Sequence, residues 1–187
     1  NYKIATRYFS YAVLREKLGG RLRYAVSGGS ALPRYIDDFF HAANIEILEG
    51  YGLTETSPVI AVRVPGEKKL YTSGKILDGI EVKIIDPENG NELAENQEGI
   101  VYIKGQNVMK GYYRNFKETK KVLDTDGWLD TGDRGFLQAG SFLKITGREK
   151  DIIVLSNGEN VNPIPIEFAL KSSDYIETAI VTGQDWR

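Results

Sequence analysis

The residues best suited to chemistry fall in one octet, Glu49-Gly50-Tyr51-Gly52-Leu53-Thr54-Glu55-Thr56. Gly50 and Gly52 let the backbone come close to a flat or charged ligand, because no Cβ stands in the way. Tyr51 between them offers an aromatic face on which a base can stack. Thr54 brings a hydroxyl for a phosphate oxygen, and Glu55 a hard carboxylate of the kind magnesium prefers. The same octet also reads as a strand running into a glycine turn, with a helix-capping threonine at its end.

Three further segments carry usable groups. Thr131-Gly132-Asp133 comes after Asp126-Gly127-Trp128. A carboxylate beside a glycine can accept both hydroxyls of a ribose diol, or simply close an Asp-rich turn. In Thr146-Gly147-Arg148-Glu149-Lys150-Asp151, Arg148 presents a fork of donors that suits phosphate or ribose oxygens, and Lys150 is long and flexible. Such a charge run also serves as a solvated loop. The fourth segment, Val26-Ser27-Gly28-Gly29-Ser30-Ala31-Leu32-Pro33, is a small-residue turn opening a helix. It lacks the lysine and spacing of a phosphate-binding P-loop, and it is not the strained serine elbow of a hydrolase. Its better use is close backbone approach to a ligand.

These segments need elements to hold them. Tyr8 to Leu18 reads as a helix ending at Gly19-Gly20, Leu22 to Ser27 as a strand, Pro33 to Ala43 as a helix, and Ile45 to Leu48 as a second strand. Strand, turn and helix in this order predict an α/β region whose strand ends carry a site. From Val59 onward short strands alternate with turns. Ile80 to Ile85 pairs with Gly99 to Lys104, and Phe136-Leu137 with Phe142 to Thr146 across Ala139-Gly140. Phe116 to Leu123 is a short helix capped by Asn115, and the middle region is a small β-rich subdomain. After Lys150 come an apolar Ile152 to Leu155, a turn at Asn157-Gly158, a helix from Pro163 to Lys171 and a strand from Ile176 to Thr182. The shift in pattern places a domain boundary near Lys150.

Composition removes several function classes. With 187 residues, 41% hydrophobic and 27% charged, the chain can bury a core. A formal net charge of −2 gives no global basic field to gather nucleic acid. The absence of cysteine excludes disulfides, thiolate zinc sites and cysteine nucleophiles. His41, the single histidine, reads as a solvated or packed helix residue and cannot build a multi-histidine metal site. No stretch has the roughly 20 apolar residues of a membrane span. The expected location is cytoplasmic, with peripheral membrane contact left open.

In order and approximate spacing the four segments resemble the adenylate-forming enzymes, the superfamily of acyl- and aryl-CoA ligases, luciferases and peptide-synthetase adenylation domains. Gly50-Tyr51-Gly52-Leu53-Thr54-Glu55 is similar to that family's adenine and phosphate motif, Thr131-Gly132-Asp133 to its ribose motif, and Gly147-Arg148-Glu149-Lys150-Asp151 to its domain-junction motif. The resemblance implies a mixed α/β and β fold. Residues 1–148 would form the C-terminal portion of the large AMP-binding domain, with α/β layers and the β-rich subdomain, and residues 149–187 the start of a small, mobile α+β domain. It also implies roles. Gly50, Tyr51 and Gly52 flank adenine, with Gly29, Ser30 and Ala31 on the other side and at the mouth of an acyl tunnel, and Glu49 and Leu53 belong to the same nucleotide-binding set. Thr54 contacts the α-phosphate, Glu55 holds Mg²⁺, Asp133 takes the ribose hydroxyls, Arg148 supports ribose and phosphate, and Lys150 is the hinge.

Within the family, Leu155-Ser156-Asn157-Gly158-Glu159-Asn160-Val161 with the prolines after it looks like the long-chain fatty acid–CoA ligases; Pro165 stands where many members carry glutamate. The implied substrates are a fatty acid, ATP with Mg²⁺, and coenzyme A. An acyl-AMP ligase that loads a carrier protein, or a nucleotide-binding module without chemistry, remains the alternative. The family's Ser/Thr/Gly-rich phosphate loop is expected before Asn1 and its adenylating lysine beyond Arg187. A chain limited to these residues is therefore expected to be inactive.

Overall fold

The fold is taken from a computed structural model, which describes residues 11–67 and 69–183. A helix α1 (residues 11–17) ends at Gly19 and Gly20, both with positive φ. The expected start of this helix at Tyr8 lies outside the described residues. Strand β1 (Tyr24–Ser27) pairs in parallel with β2 (Glu46–Gly52), and α2 (Arg34–Ala42) crosses between them. Pro33 precedes α2, where a missing N–H does no harm. The parallel pair with its connecting helix is the α/β unit that the alternating pattern predicts.

The chain then turns antiparallel. Strands β3 (Val59–Val62), β4 (Lys75–Ile76), β5 (Ile80–Ile85), β6 (Gly99–Gly105), β7 (Leu129–Gln138) and β8 (Phe142–Arg148) join β1 and β2 in one eight-stranded sheet. Its order is β1-β2-β3-β4-β8-β7-β6-β5. The β-rich region is thus continuous with the α/β region, joined by β4, whose only strand-register partner in β8 is Phe142 opposite Lys75. A short helix α3 (Phe116–Val122) covers the β6–β7 connection; Asn115 caps it by accepting a hydrogen bond from Glu118 N at 3.3 Å. The buried core is Ile60, Ala61, Ile84, Val101, Ile103 and Leu143, drawn from β3, β5, β6 and β8. Alternation along these strands puts such residues on one face, where their burial supplies the main stabilising term.

Beyond β8, a 3₁₀ turn (Glu149–Asp151) leads to a small hairpin, β9 (Ile153–Val154) and β10 (Asn160–Val161), turned at Asn157-Gly158. Helix α4 (Pro163–Lys171) comes next, with Asn162 as its cap. The expected strand at Ile176 to Thr182 is a correction: that segment is irregular. A strand exists only through its ladder, and among the described residues no strand pairs with it. Val181 N bonds instead to Glu167 Oε1 at 3.0 Å.

Candidate functional site

The ends of β2 and β8 and the middle of β7 converge on a cavity of about 480 Å³, within the size range of small-molecule sites. Gly29, Ser30, Ala31, Glu49, Gly50, Tyr51, Gly52, Leu53, Asp133 and Arg148 all line it, so residues scattered over 120 positions share one surface. The walls also include Ser73, Ile145, Thr146, Gly147, Asp151 and Ile164, which no motif marks as ligands.

At its centre Tyr51 Oη donates to Asp133 Oδ2 at 2.6 Å, and Arg148 Nε donates to Asp133 Oδ1 at 2.8 Å. Local backbone chemistry builds this arrangement. Opposite β6, Ile100 faces Arg134 and Tyr102 faces Asp130, so Thr131, Gly132 and Asp133 all stand against Val101 alone. Such a bulge re-aims a side chain. It is held by Thr131 Oγ1 donating to Val101 O at 2.7 Å, and by Gly132 N donating to Asp130 Oδ1 at 2.9 Å, with Gly132 in the left-handed region that favours glycine. Asp133 then lies directly across the ladder from Arg148. Burial first, and then the negative charge of Asp133, push the Tyr51 hydroxyl well above its ordinary range and keep it a donor. The hydrogen bond that Arg148 donates to Asp133 raises Arg148 further.

Tyr51 is brought there by the turn after β2. The register of β2 on β3 shifts between Tyr51 and Gly52, and a Cβ on Gly52 would stand 1.7 Å from Pro58 O. Only glycine fits. Thr56, fully buried, accepts from Leu53 N at 3.0 Å, and its hydroxyl sits 2.9 Å from Pro58 O, which locks the 3₁₀ turn Thr54–Thr56.

Thr54, Glu55 and Lys150 do not line the main cavity. Glu55 faces a smaller one of about 190 Å³, shared with Leu53, Tyr112, Asp130 and Arg148. There Tyr112 Oη donates to Glu55 Oε1 at 2.9 Å. The segment 107–112 straps this turn: Asn107 Nδ2 reaches Thr56 O at 2.8 Å and Met109 N reaches Glu55 O at 2.8 Å. Thr54 is exposed in the turn between the two cavities. Lys150 is exposed in the turn Glu149–Asp151, whose Glu149 is braced by Arg134 at 3.3 Å.

Behind the cavity lies a network that no motif signals. Arg63 donates to Asp37 Oδ1 at 2.9 Å, to Glu49 Oε2 at 2.8 Å and to Thr72 O at 2.7 Å, with only 3% of its surface exposed. Burial, only partly offset by Arg63, pushes the Glu49 carboxyl up to about 7.

The residues present suit a nucleotide. Asp133 keeps one lone-pair direction on each oxygen beyond its two bonded donors, and glycine backbone forms much of the wall. Glu55 has one oxygen bonded to Tyr112 and a second left for a cation. Among the described residues there is no cluster of three acidic, histidine or cysteine ligands, so no dedicated metal cage exists. One carboxylate together with substrate phosphates and water is the usual Mg²⁺ arrangement.

Comparison with known proteins agrees with this geometry. Residues 4–113 match the AMP-binding enzyme family, and residues 150–187 match the AMP-binding enzyme C-terminal domain. The chain is 43% identical over 178 residues to a chloroplastic long-chain-fatty-acid–[acyl-carrier-protein] ligase of Arabidopsis thaliana, covering 90% of this chain and 24% of that one. It is 40% identical over 173 residues to a long-chain-fatty-acid–CoA ligase of Mycobacterium bovis, covering 92% and 27%. It thus spans about a quarter of the length of these relatives. Among solved structures, the o-succinylbenzoate CoA synthetase of Bacillus subtilis in complex with its acyl-adenylate intermediate superposes with a TM-score of 0.79 at 29% identity, over 95% of this chain and 37% of that one. ATP-bound MatB from Rhodopseudomonas palustris gives 0.72 at 33% identity, over 79% and 29%. With the family matched over more than half its length and the fold shared with adenylate-forming structures, the chain belongs to the AMP-binding enzyme family.

Proposed function

We propose that this chain is the nucleoside-holding part and hinge of an ATP-dependent fatty acid–CoA ligase. In the first half-reaction a fatty carboxylate oxygen bonds to the α-phosphorus of ATP while the α–β phosphoanhydride bond breaks, and the electron pair leaves with pyrophosphate. In the second, a thiol attacks the acyl carbon and AMP departs. The observation that carries this reading is Asp133 held between Tyr51 and Arg148 on the wall of a nucleotide-sized cavity.

In this reading Asp133 accepts the ribose hydroxyls with its remaining lone pairs, and Arg148 steadies ribose and phosphate. Tyr51 stacks on adenine with the Gly50 and Gly52 backbone, while Gly29, Ser30 and Ala31 close the far side and Glu49 and Leu53 complete the wall. Thr54 donates to the α-phosphate. Magnesium supplies charge neutralisation at the phosphates when bound, and Glu55 holds it, oriented by Tyr112. Lys150 is the point about which residues 149–187 turn between the half-reactions, and residues 1–148 are the fixed part. An exposed turn with a braced neighbour at Glu149 suits a pivot.

A second reading concerns the acceptor. The Arabidopsis relative is named for an acyl-carrier-protein thiol, which favours carrier protein over CoA. The full-length protein incubated with a long-chain fatty acid, ATP and each thiol in turn decides between them. Thioester on CoA supports the first reading and thioester only on carrier protein the second. Binding of ATP without acid-dependent pyrophosphate release would sink both.

A further inference from the structure

We propose that the loop and helix formed by residues 110–121 dock the protein on a lipid surface bearing anionic headgroups. In a chain of net charge −2, this stretch carries Lys110, Arg114, Lys117, Lys120 and Lys121 against the single carboxylate of Glu118. All five cations are exposed. Lys121 is paired with Glu118 at 2.7 Å, and among the described residues the other four make no ion pair.

Two large rings stand among these charges. Tyr113 is 86% exposed and Phe116 is 72% exposed. Arg114 lies 5.2 Å from the Tyr113 ring centroid and Lys120 lies 4.7 Å from that of Phe116. Aromatic rings interleaved with lysine and arginine are the composition of segments that settle at the headgroup boundary, where rings enter the apolar edge and cations meet phosphate.

The platform is fixed from beneath. Tyr112 N donates to Thr119 Oγ1 at 2.9 Å, and the Thr119 hydroxyl donates to Asn115 O at 2.9 Å. A Cβ on Gly111 would stand 2.8 Å from Thr119 Cγ2, so the loop presses directly on the helix. Arg114 is held with φ at +51°, a conformation uncommon for arginine that sits between the two exposed rings in sequence. The backbone that carries the rings and cations is therefore held in place. Tyr113 and Phe116 protrude from this surface, while Tyr112 beside them lines the smaller cavity with Glu55. That shape, with its charge, fits a soft anionic sheet better than a folded acidic protein. The inference does not depend on the proposed reaction.

The test uses the full-length protein and sedimentation with phosphatidylcholine vesicles, with and without phosphatidylglycerol. Binding is expected only with the anionic lipid, and it is expected to fall steeply with added salt. Lys117→Ala with Lys120→Ala should weaken it roughly 20- to 30-fold, about fivefold per cation. Tyr113→Ser with Phe116→Ser should weaken it too while leaving nucleotide binding unchanged. With Phe116→Trp, tryptophan emission should shift to the blue on anionic vesicles. Equal binding to both vesicle types, or double variants that bind like the parent, would overturn the proposal. So would a salt-sensitive complex with an acidic carrier protein, lost in the lysine variants, with no vesicle association.

Discussion

Two charged triads flank the same cavity, and they are built in opposite senses. In one, a single carboxylate, Asp133, lies between two donors, Tyr51 and Arg148. In the other, a single guanidinium, Arg63, lies between two carboxylates, Asp37 and Glu49. The first is neutral with its arginine side chain 44% exposed; the second carries an excess negative charge around an arginine 3% exposed. Excess charge in a buried place is relieved by a proton, and Glu49 is the member whose affinity for one is raised. Asp133 presents the outer lone pairs of its two oxygens to the cavity, whereas the second triad ties α2, β2 and the chain just after β3 together behind it.

The sharpest way to break this contrast is Arg63→Ala. It leaves Asp37 and Glu49 without their cation, and the expected loss is about 3–5 kcal/mol of stability, read by denaturant unfolding. A loss under about 1 kcal/mol would mean the network is not a structural support. Asp133→Asn tests the other triad. It should leave the fold standing but lower nucleotide affinity on the order of a hundredfold by calorimetry, for two charge-assisted bonds at about 1.5 kcal/mol each. Unchanged affinity removes Asp133 from the ribose site.

Tyr112→Phe deletes a donor from a carboxylate that has no arginine partner. The expected effect is about fivefold in the Mg²⁺ concentration needed for half-maximal nucleotide binding, corresponding to about 1 kcal/mol for one hydrogen bond. An unchanged Mg²⁺ dependence would leave Tyr112 as a structural strap only. A separate test is pH dependence. Glu49 rises from an ordinary 4.5 to about 7 on folding, so its contribution is full below the ordinary value and is lost as pH climbs through about 7. The stability of the parent relative to Glu49→Gln should therefore decline between about pH 5 and 8. A flat difference across that window would show that Glu49 titrates normally.

The same contrast explains what could be read from sequence. The neutral triad is legible because each member sits in a dense local pattern: Tyr51 between glycines, Asp133 after Thr131-Gly132, Arg148 after Gly147. Arg63 is not. It lies in a β3 edge sequence, Ala61-Val62-Arg63-Val64, where nothing nearby marks it as buried, and its partners are 26 and 14 residues away. The helices α2 and α4 are legible almost to the residue, because proline and asparagine mark their starts. Strand β4 has two residues and is defined only by its neighbours. The segment Ile176 to Thr182 has a strand's composition, and among the described residues no strand pairs with it. Long-range pairing decides such cases, and local pattern carries no trace of it.

Asn162 does two jobs with the two ends of one amide. Its Oδ1 accepts from Ile164 N at 3.1 Å and caps α4, while its Nδ2 donates to Thr146 O at 2.8 Å, just ahead of the turn Glu149–Asp151. Ile164 from the same helix lines the cavity. If α4 swings about the proposed pivot at Lys150, the bond to Thr146 breaks and the cap stays intact. The helix would then depart as a stiff lever with no unwinding at its first turn, taking an apolar side chain out of the cavity wall. Leaving and retaining are written into opposite faces of a single side chain.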